Sequence, residues 1–166
     1  PTLISAFNNT GLPLRIFSIK SYLGNDYESI IGKMERRGNI EVTFNNRLMI
    51  DELTAEVNRA ACVVICCQPT NYTVGLTTVV EALALGIPII CSRNPQMPMD
   101  LEAEGCGLLV DYGDVGGWER ATRFIAEHPE EAERMGKRGR KLAEKLYNIR
   151  RCTSEMSAVI KKLAGE

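Results

Sequence analysis

Residues 71–90 gather the residue types best suited to holding a charged, hydroxyl-rich ligand. They read Asn71-Tyr72-Thr73-Val74-Gly75-Leu76-Thr77-Thr78-Val79-Val80-Glu81-Ala82-Leu83-Ala84-Leu85-Gly86-Ile87-Pro88-Ile89-Ile90. An apolar run precedes this stretch, a glycine marks a turn, and threonines stand where a helix should begin. The first amides of a helix have no partner inside it, and the aligned peptide dipoles add positive potential there, so such a turn can hold an anion. Gly75 lets a ligand come close to the backbone. Glu81 follows Thr77 by four residues, one turn on and on the same helix face. Its carboxylate can accept hydrogen bonds from two neighbouring sugar hydroxyls, such as a ribose diol. The same features also fit an unliganded strand–glycine–helix unit whose early glutamate simply favours the dipole.

Other chemistries find less support. Cys62, Cys66, Cys67 and Cys91 lie in or beside apolar runs and read as small, reduced core residues. No Cys-x-x-Cys pair occurs, and the single histidine, His128, is distant in sequence, so neither a metal site nor a disulfide framework is expected. Reduced thiols fit a cytoplasmic setting. A formal net charge of -1 offers no general attraction to nucleic acid or an anionic membrane. No apolar run approaches the roughly 20 residues that span a bilayer. Pro1-Thr2-Leu3-Ile4 shows no basic region followed by an apolar stretch, and so no sign of a signal peptide.

The elements that must position these residues alternate between short apolar strands and amphipathic helices. Strands are expected at residues 14–19, 39–44, 61–67, 89–92 and 107–110. Helices are expected at 26–37, 50–60, 77–85, 99–104, 118–127, 129–146 and 149–163. The continuous apolar run at 61–67 marks a parallel strand buried on both faces. Strands separated by helices imply right-handed crossovers and an α/β, Rossmann-like parallel sheet with helices on both faces. Ligands of such sheets bind at the carboxyl ends of the strands, so the loops after Ile19, Phe44, Cys67 and Ser92 are where a site belongs. Residues 1–7 read as the first turns of a helix, with Pro1 at its start and Leu3, Ile4 and Phe7 at helical spacing. On that reading the first strand of the domain is missing from these residues. The rival reading makes residues 2–7 that strand, but a parallel neighbour then needs a crossover of about a dozen residues before Leu14.

The stretch at 80–90 resembles the nucleotide-sugar site of GT-B glycosyltransferases, specifically the retaining enzymes with a Glu-x7-Glu motif (glycosyl transferases group 1, family 4 type). Their Glu-Ala-Met-Ala-x-Gly-x-Pro-Val-Ile appears here as Glu81-Ala82-Leu83-Ala84-Leu85-Gly86-Ile87-Pro88-Ile89-Ile90. Glu104-Gly105-Cys106-Gly107-Leu108-Leu109-Val110-Asp111-Tyr112-Gly113-Asp114 and the late helix starting Pro129-Glu130-Glu131-Ala132 also follow the family order. The resemblance implies that residues 1–166 form the nucleotide-sugar-binding C-terminal half of a GT-B transferase, with C-terminal helices over 116–166. The donor is then a nucleotide diphosphate sugar, with no separate cofactor and no metal. Glu81 would bind the ribose hydroxyls. The diphosphate would lie over the amides of Gly75, Leu76 and Thr77, with the Thr77 or Thr78 hydroxyl as an extra donor. The nucleobase would pack at the loop after the third strand, where Arg47 stands, although a solvated helix-entry charge is the plainer account of Arg47.

The family further implies hexosyl transfer with retention, in a role such as polysaccharide biosynthesis. It implies an N-terminal acceptor-binding domain outside these residues, through which the enzyme would meet a membrane peripherally, and the isolated chain is expected to be inactive. Two departures stand out. Thr73 occupies the place of the first motif glutamate, near the donor sugar, and brings no charge; related members share an Asn-Tyr-x-x-Gly-x-Thr-Thr pattern. The diphosphate-neutralising Arg and Lys that follow the family's first strand are not found, and Lys20 is the nearest substitute, better explained as a solvated lysine. These departures favour a rival: a non-catalytic domain, or one completed in trans, used for nucleotide-sugar or protein contacts. An epimerase or a flavodoxin-like regulator is the further alternative; the acidic groups each requires are not located.

Overall fold

Helix α1 (Thr2–Thr10) opens the chain and ends on Gly11, whose left-handed backbone returns its N–H to the Phe7 carbonyl. The computed structural model describes residues 1–22, 24–44 and 50–165. The helix reading of the N-terminal residues is thus the one observed. Next come β1 (Leu14–Ser18), a short antiparallel hairpin of β2 (Ser21–Tyr22) and β3 (Asn25–Asp26), α2 (Tyr27–Gly32), β4 (Ile40–Phe44) and α3 (Ile50–Val57). The second half holds β5 (Val63–Ile65), α4 (Leu76–Leu85), β6 (Ile89–Ser92), β7 (Gly107–Val110), α5 (Val115–Glu127), α6 (Pro129–Leu146) and α7 (Ile149–Ala164).

The strands form two parallel ladders. In one, β1 pairs with β4, from Leu14 opposite Ile40 to Ser18 opposite Phe44. In the other, β6 lies between β5 and β7, with Val63 opposite Ile89 and Ile89 opposite Gly107. Among the described residues no ladder joins β1 to β5; side chains bridge them, as Val64 packs on the cluster of Ile4, Phe7, Leu14 and Ile40. Alternation along β5 and β6 explains why both read as unbroken apolar runs. Val63, Ile65, Ile89 and Cys91 face α4 with Val79, Ala82 and Leu83. Val64 and Ile90 face the opposite layer, with Ala6 of α1 and Trp118, Ala121 and Ile125 of α5. Both faces are therefore covered, as a parallel sheet requires. Trp118 of α5 is fully buried.

Close backbone contact fixes α4 against α6. A Cβ on Gly136 would meet the Gly86 carbonyl oxygen at 2.0 Å, and one on Gly139 would meet Leu83 Cδ2 at 2.7 Å. Two glycines three residues apart on one face of α6 thus let it cross the end of α4, which stops at Gly86 in the left-handed conformation.

Several expected boundaries need correction. The helix expected over 26–37 ends at Gly32, where the bonding tightens to a three-residue step from Met34 N–H to Ile31 O. The hairpin before it was not expected. The helix expected to reach residue 60 ends at Val57, and three-residue turns carry Arg59 and Ala60. No helix forms over 99–104, where turns run from residue 101; the Asp100 carboxylate accepts from the amides of Glu102 and Ala103 and holds them. The strand at 61–67 shortens to Val63–Ile65, leaving Cys66 exposed and not in the core. Helix α7 buries none of its residues, and Ile149, Met156, Val159, Ile160 and Leu163 form an exposed apolar stripe.

Candidate functional site

The β5–α4 loop lies at the carboxyl end of the β5–β6–β7 ladder, where open parallel sheets place their ligands. It ends at Gly75, the residue just before α4, in the left-handed conformation at φ 81°. Two physical needs select glycine there. A side chain at that φ is strained, and a Cβ would lie 2.6 Å from Cγ2 of Ile65, itself buried in the core. Among the described residues no side chain caps the helix, so Leu76, Thr77 and Thr78 present their amides at its open end. The first intrahelical bond of this end is Val79 N–H to Gly75 O, 2.9 Å.

Thr77, Thr78 and Glu81 are all exposed, and Glu81 lies one turn beyond Thr77 on the same face. The opposite face, Val79, Ala82 and Leu83, is buried. The amphipathic pattern of α4 therefore aims the carboxylate and both hydroxyls outward. Among the described residues Glu81 has no ion-pair or hydrogen-bond partner, so its carboxylate oxygens are available as acceptors. Tyr72, on the same loop, keeps 63% of its surface exposed.

Thr73 is placed differently from a free sugar contact. Its hydroxyl donates to the Gln96 carbonyl at 2.8 Å, which ties this loop to the one after β6 and leaves only oxygen lone pairs for a ligand. Arg47 lies outside the described residues, so its place in the expected base-binding loop is not defined. Lys20 pairs with Glu28 at 3.2 Å, as a surface lysine does. Arg93, next to the end of β6, is held by Glu102 at 3.0 Å and Asp111 at 3.1 Å, and these partners raise its pKa. Two surface cavities are lined by other parts of the sheet and helices, the second reaching Val80 of α4. One of 420 Å³ sits between β7 and α5, and one of 560 Å³ lies against α7 beside Val80 and Tyr147.

Sequence reasoning missed Ser92 and Asn94. Both are buried polar residues at the end of β6, and both bond to the β5–α4 loop. Their signal was faint: polar residues and an Asn-Pro turn directly after a strand that is otherwise entirely apolar.

With this geometry in place, comparison with known proteins decides the family. Residues 23–142 match the family described as Glycosyl transferases group 1. The chain belongs to that family. The matched span of this group 1 chain takes in the whole β5–α4 unit, the ladder and most of α6. The chain is also similar to an MMP alpha-(1->4)-mannosyltransferase of Mycolicibacterium hassiacum, 29% identical over 99 residues, covering 59% of this chain. That alignment spans 24% of the relative's own length. Among the described residues, no helix is long and apolar enough to cross a membrane.

Proposed function

We propose that residues 1–166 are the donor-binding half of a retaining glycosyltransferase, which moves a hexosyl group from a nucleotide diphosphate sugar to an acceptor hydroxyl. The observation that carries this reading is the open N-terminal end of α4, whose uncapped amides stand one turn from the exposed Glu81 carboxylate, itself without an ion-pair or hydrogen-bond partner among the described residues. Amides of Gly75, Leu76 and Thr77 would take the diphosphate, aided by the Thr77 or Thr78 hydroxyl, and Glu81 the ribose diol. The departing diphosphate then gains preorganised donors where its charge develops. The name of the relative makes mannose the first sugar to test.

An acceptor-binding half outside these residues would complete the enzyme and supply further cationic groups. A strand ahead of α1 would fit between the unjoined β1 and β5, because a helix that feeds a parallel strand ordinarily follows a neighbouring one. A second reading, a non-catalytic or trans-completed donor-binding domain, draws support from Thr73, whose hydroxyl serves a loop contact where the family places a carboxylate. Thermal-shift titration with UDP, GDP, ADP and their mannose and glucose conjugates, repeated on Glu81→Ala, tests the site. Stabilisation by one nucleotide series, lost in the variant, is expected. Stabilisation that survives Glu81→Ala refutes the assignment.

A further inference from the structure

The described residues bury three polar or charged side chains: Ser92 at 2% exposure, Asn94 at 7% and Thr122 at 4%. Thr122 donates its hydroxyl to Trp118 O in its own helix. The other two reach across to the loop that presents the α4 amides. The Cys67 amide donates to Ser92 Oγ at 2.9 Å. Asn94 Nδ2 donates to the Tyr72 carbonyl at 3.1 Å, while Asn94 Oδ1 accepts from the Gln96 amide at 2.9 Å. Thr73 Oγ1 completes the set by donating to the Gln96 carbonyl. The β5–α4 loop is thus held at its entrance, at its middle and two residues before Gly75.

The consequence is physical. Residues 66–75 form no regular structure, and a loop that must be ordered by its ligand subtracts the ordering entropy from the affinity. The Tyr72 carbonyl also accepts from the Thr70 hydroxyl at 2.8 Å, so opening the clamp leaves chiefly the buried Asn94 amide unsatisfied, and that cost keeps it closed before any ligand arrives. We infer that Asn94 is a positioning residue for donor binding: it fixes the Tyr72–Thr78 segment so that the amides at the α4 terminus and the Tyr72 ring meet the donor already ordered. This rests on the donor-site reading above, and makes the loop after β6 part of the site although Asn94 touches no ligand.

The test uses the full-length protein with UDP-, GDP- and ADP-mannose as donor probes, and compares wild type, Asn94→Ala, Asn94→Asp, Thr73→Val and Glu81→Ala. Asn94→Asp keeps the acceptor for Gln96 N–H and loses the donor to Tyr72 O, so it separates the clamp from simple packing. Donor Kd and donor KM should rise roughly five- to tenfold in both Asn94 variants, with acceptor KM unchanged. A variant that only lowers the folded fraction reduces kcat and leaves donor KM where it was. Without donor, the Gln96 amide, which Asn94 Oδ1 accepts, should exchange faster in Asn94→Ala while the amides of β6 stay slow. If Asn94→Ala fails to fold, Asn94→Asp and Thr73→Val carry the test. Donor KM within twofold of wild type in those two, with binding abolished by Glu81→Ala, overturns the role of Asn94 and leaves the site standing. Donor binding absent in wild type, or unaffected by Glu81→Ala, overturns both.

Discussion

Replacing Gly75 by alanine should cost this domain a readable share of its stability, and the size of the loss follows from two separate strains. The backbone there sits at φ 81°, where an L-residue pays about 1 kcal/mol or somewhat more. The added Cβ would also stand 2.6 Å from Ile65 Cγ2, and overpacking of a filled core costs roughly 1–3 kcal/mol. The sum is about 2–4 kcal/mol. For a urea slope of about 2 kcal/mol/M, the unfolding midpoint then falls by about 1–2 M with the slope unchanged. The two strains can be separated. Gly75→Asn relieves part of the backbone strain, because asparagine tolerates the left-handed region, but keeps the clash. Gly75→Ala combined with Ile65→Ala removes the clash and keeps the backbone strain, so the double variant should be more stable than additivity demands by at least about 1 kcal/mol. A loss below about 0.5 kcal/mol for Gly75→Ala would refute the reasoning, because that is the scale of an ordinary surface substitution. Strict additivity in the double variant would remove the steric half of it.

Other expectations concern different parts of the molecule. Gly136→Ala drives a Cβ into the Gly86 carbonyl and should lower the melting temperature by roughly 6–12 °C, for a loss near 3 kcal/mol, measured by calorimetry. Asp114 accepts from the Gly117 amide at 2.8 Å at the start of α5, so Asp114→Ala should cost about 1 kcal/mol in the same melt while Asp114→Asn costs less. Burial pushes the Cys62 and Cys91 thiols up to about 12, so at pH 8 an alkylating reagent should label exposed Cys152 and spare both until the chain unfolds. The same shift gives a sign for pH dependence. Above the ordinary thiol value of about 9 the folded state holds more protons than the unfolded one, so stability should fall as pH climbs from about 9 toward 12. Flat stability over that range would show that the two thiols titrate alike in both states.

Local pattern made the central unit legible. The apolar run at β5, the glycine and threonines after it, and the Gly86–Pro88 stop leave few alternatives for residues 63–92, and the 3.6-residue period alone puts Glu81 on the face of Thr77 and away from Val79 and Leu83. The start of α6 was legible in the same way, since Pro129 acts within one turn of it. Boundaries were less so. Helix α2 stops early although Ile31 and Met34 pack on the core, because apolar spacing reports which side is buried and not where the hydrogen-bond pattern changes. The β2–β3 hairpin is two residues a side, too short to leave a period.

By itself, then, the sequence determined the α/β class, the order of the parallel strands along the chain, and the placing of Glu81 one turn from the helix start, since each depends on residues within a turn or two of one another. Tertiary structure alone decided what Thr73, Ser92 and Asn94 do. Their partners lie 22 to 25 residues away in sequence, and parallel pairing of β5 with β6 brings both loops to one end of the sheet. A hydroxyl or an amide side chain carries no periodic signal of its partner. Which carbonyl it meets is set by the register of two strands, and that register is a property of the packed sheet.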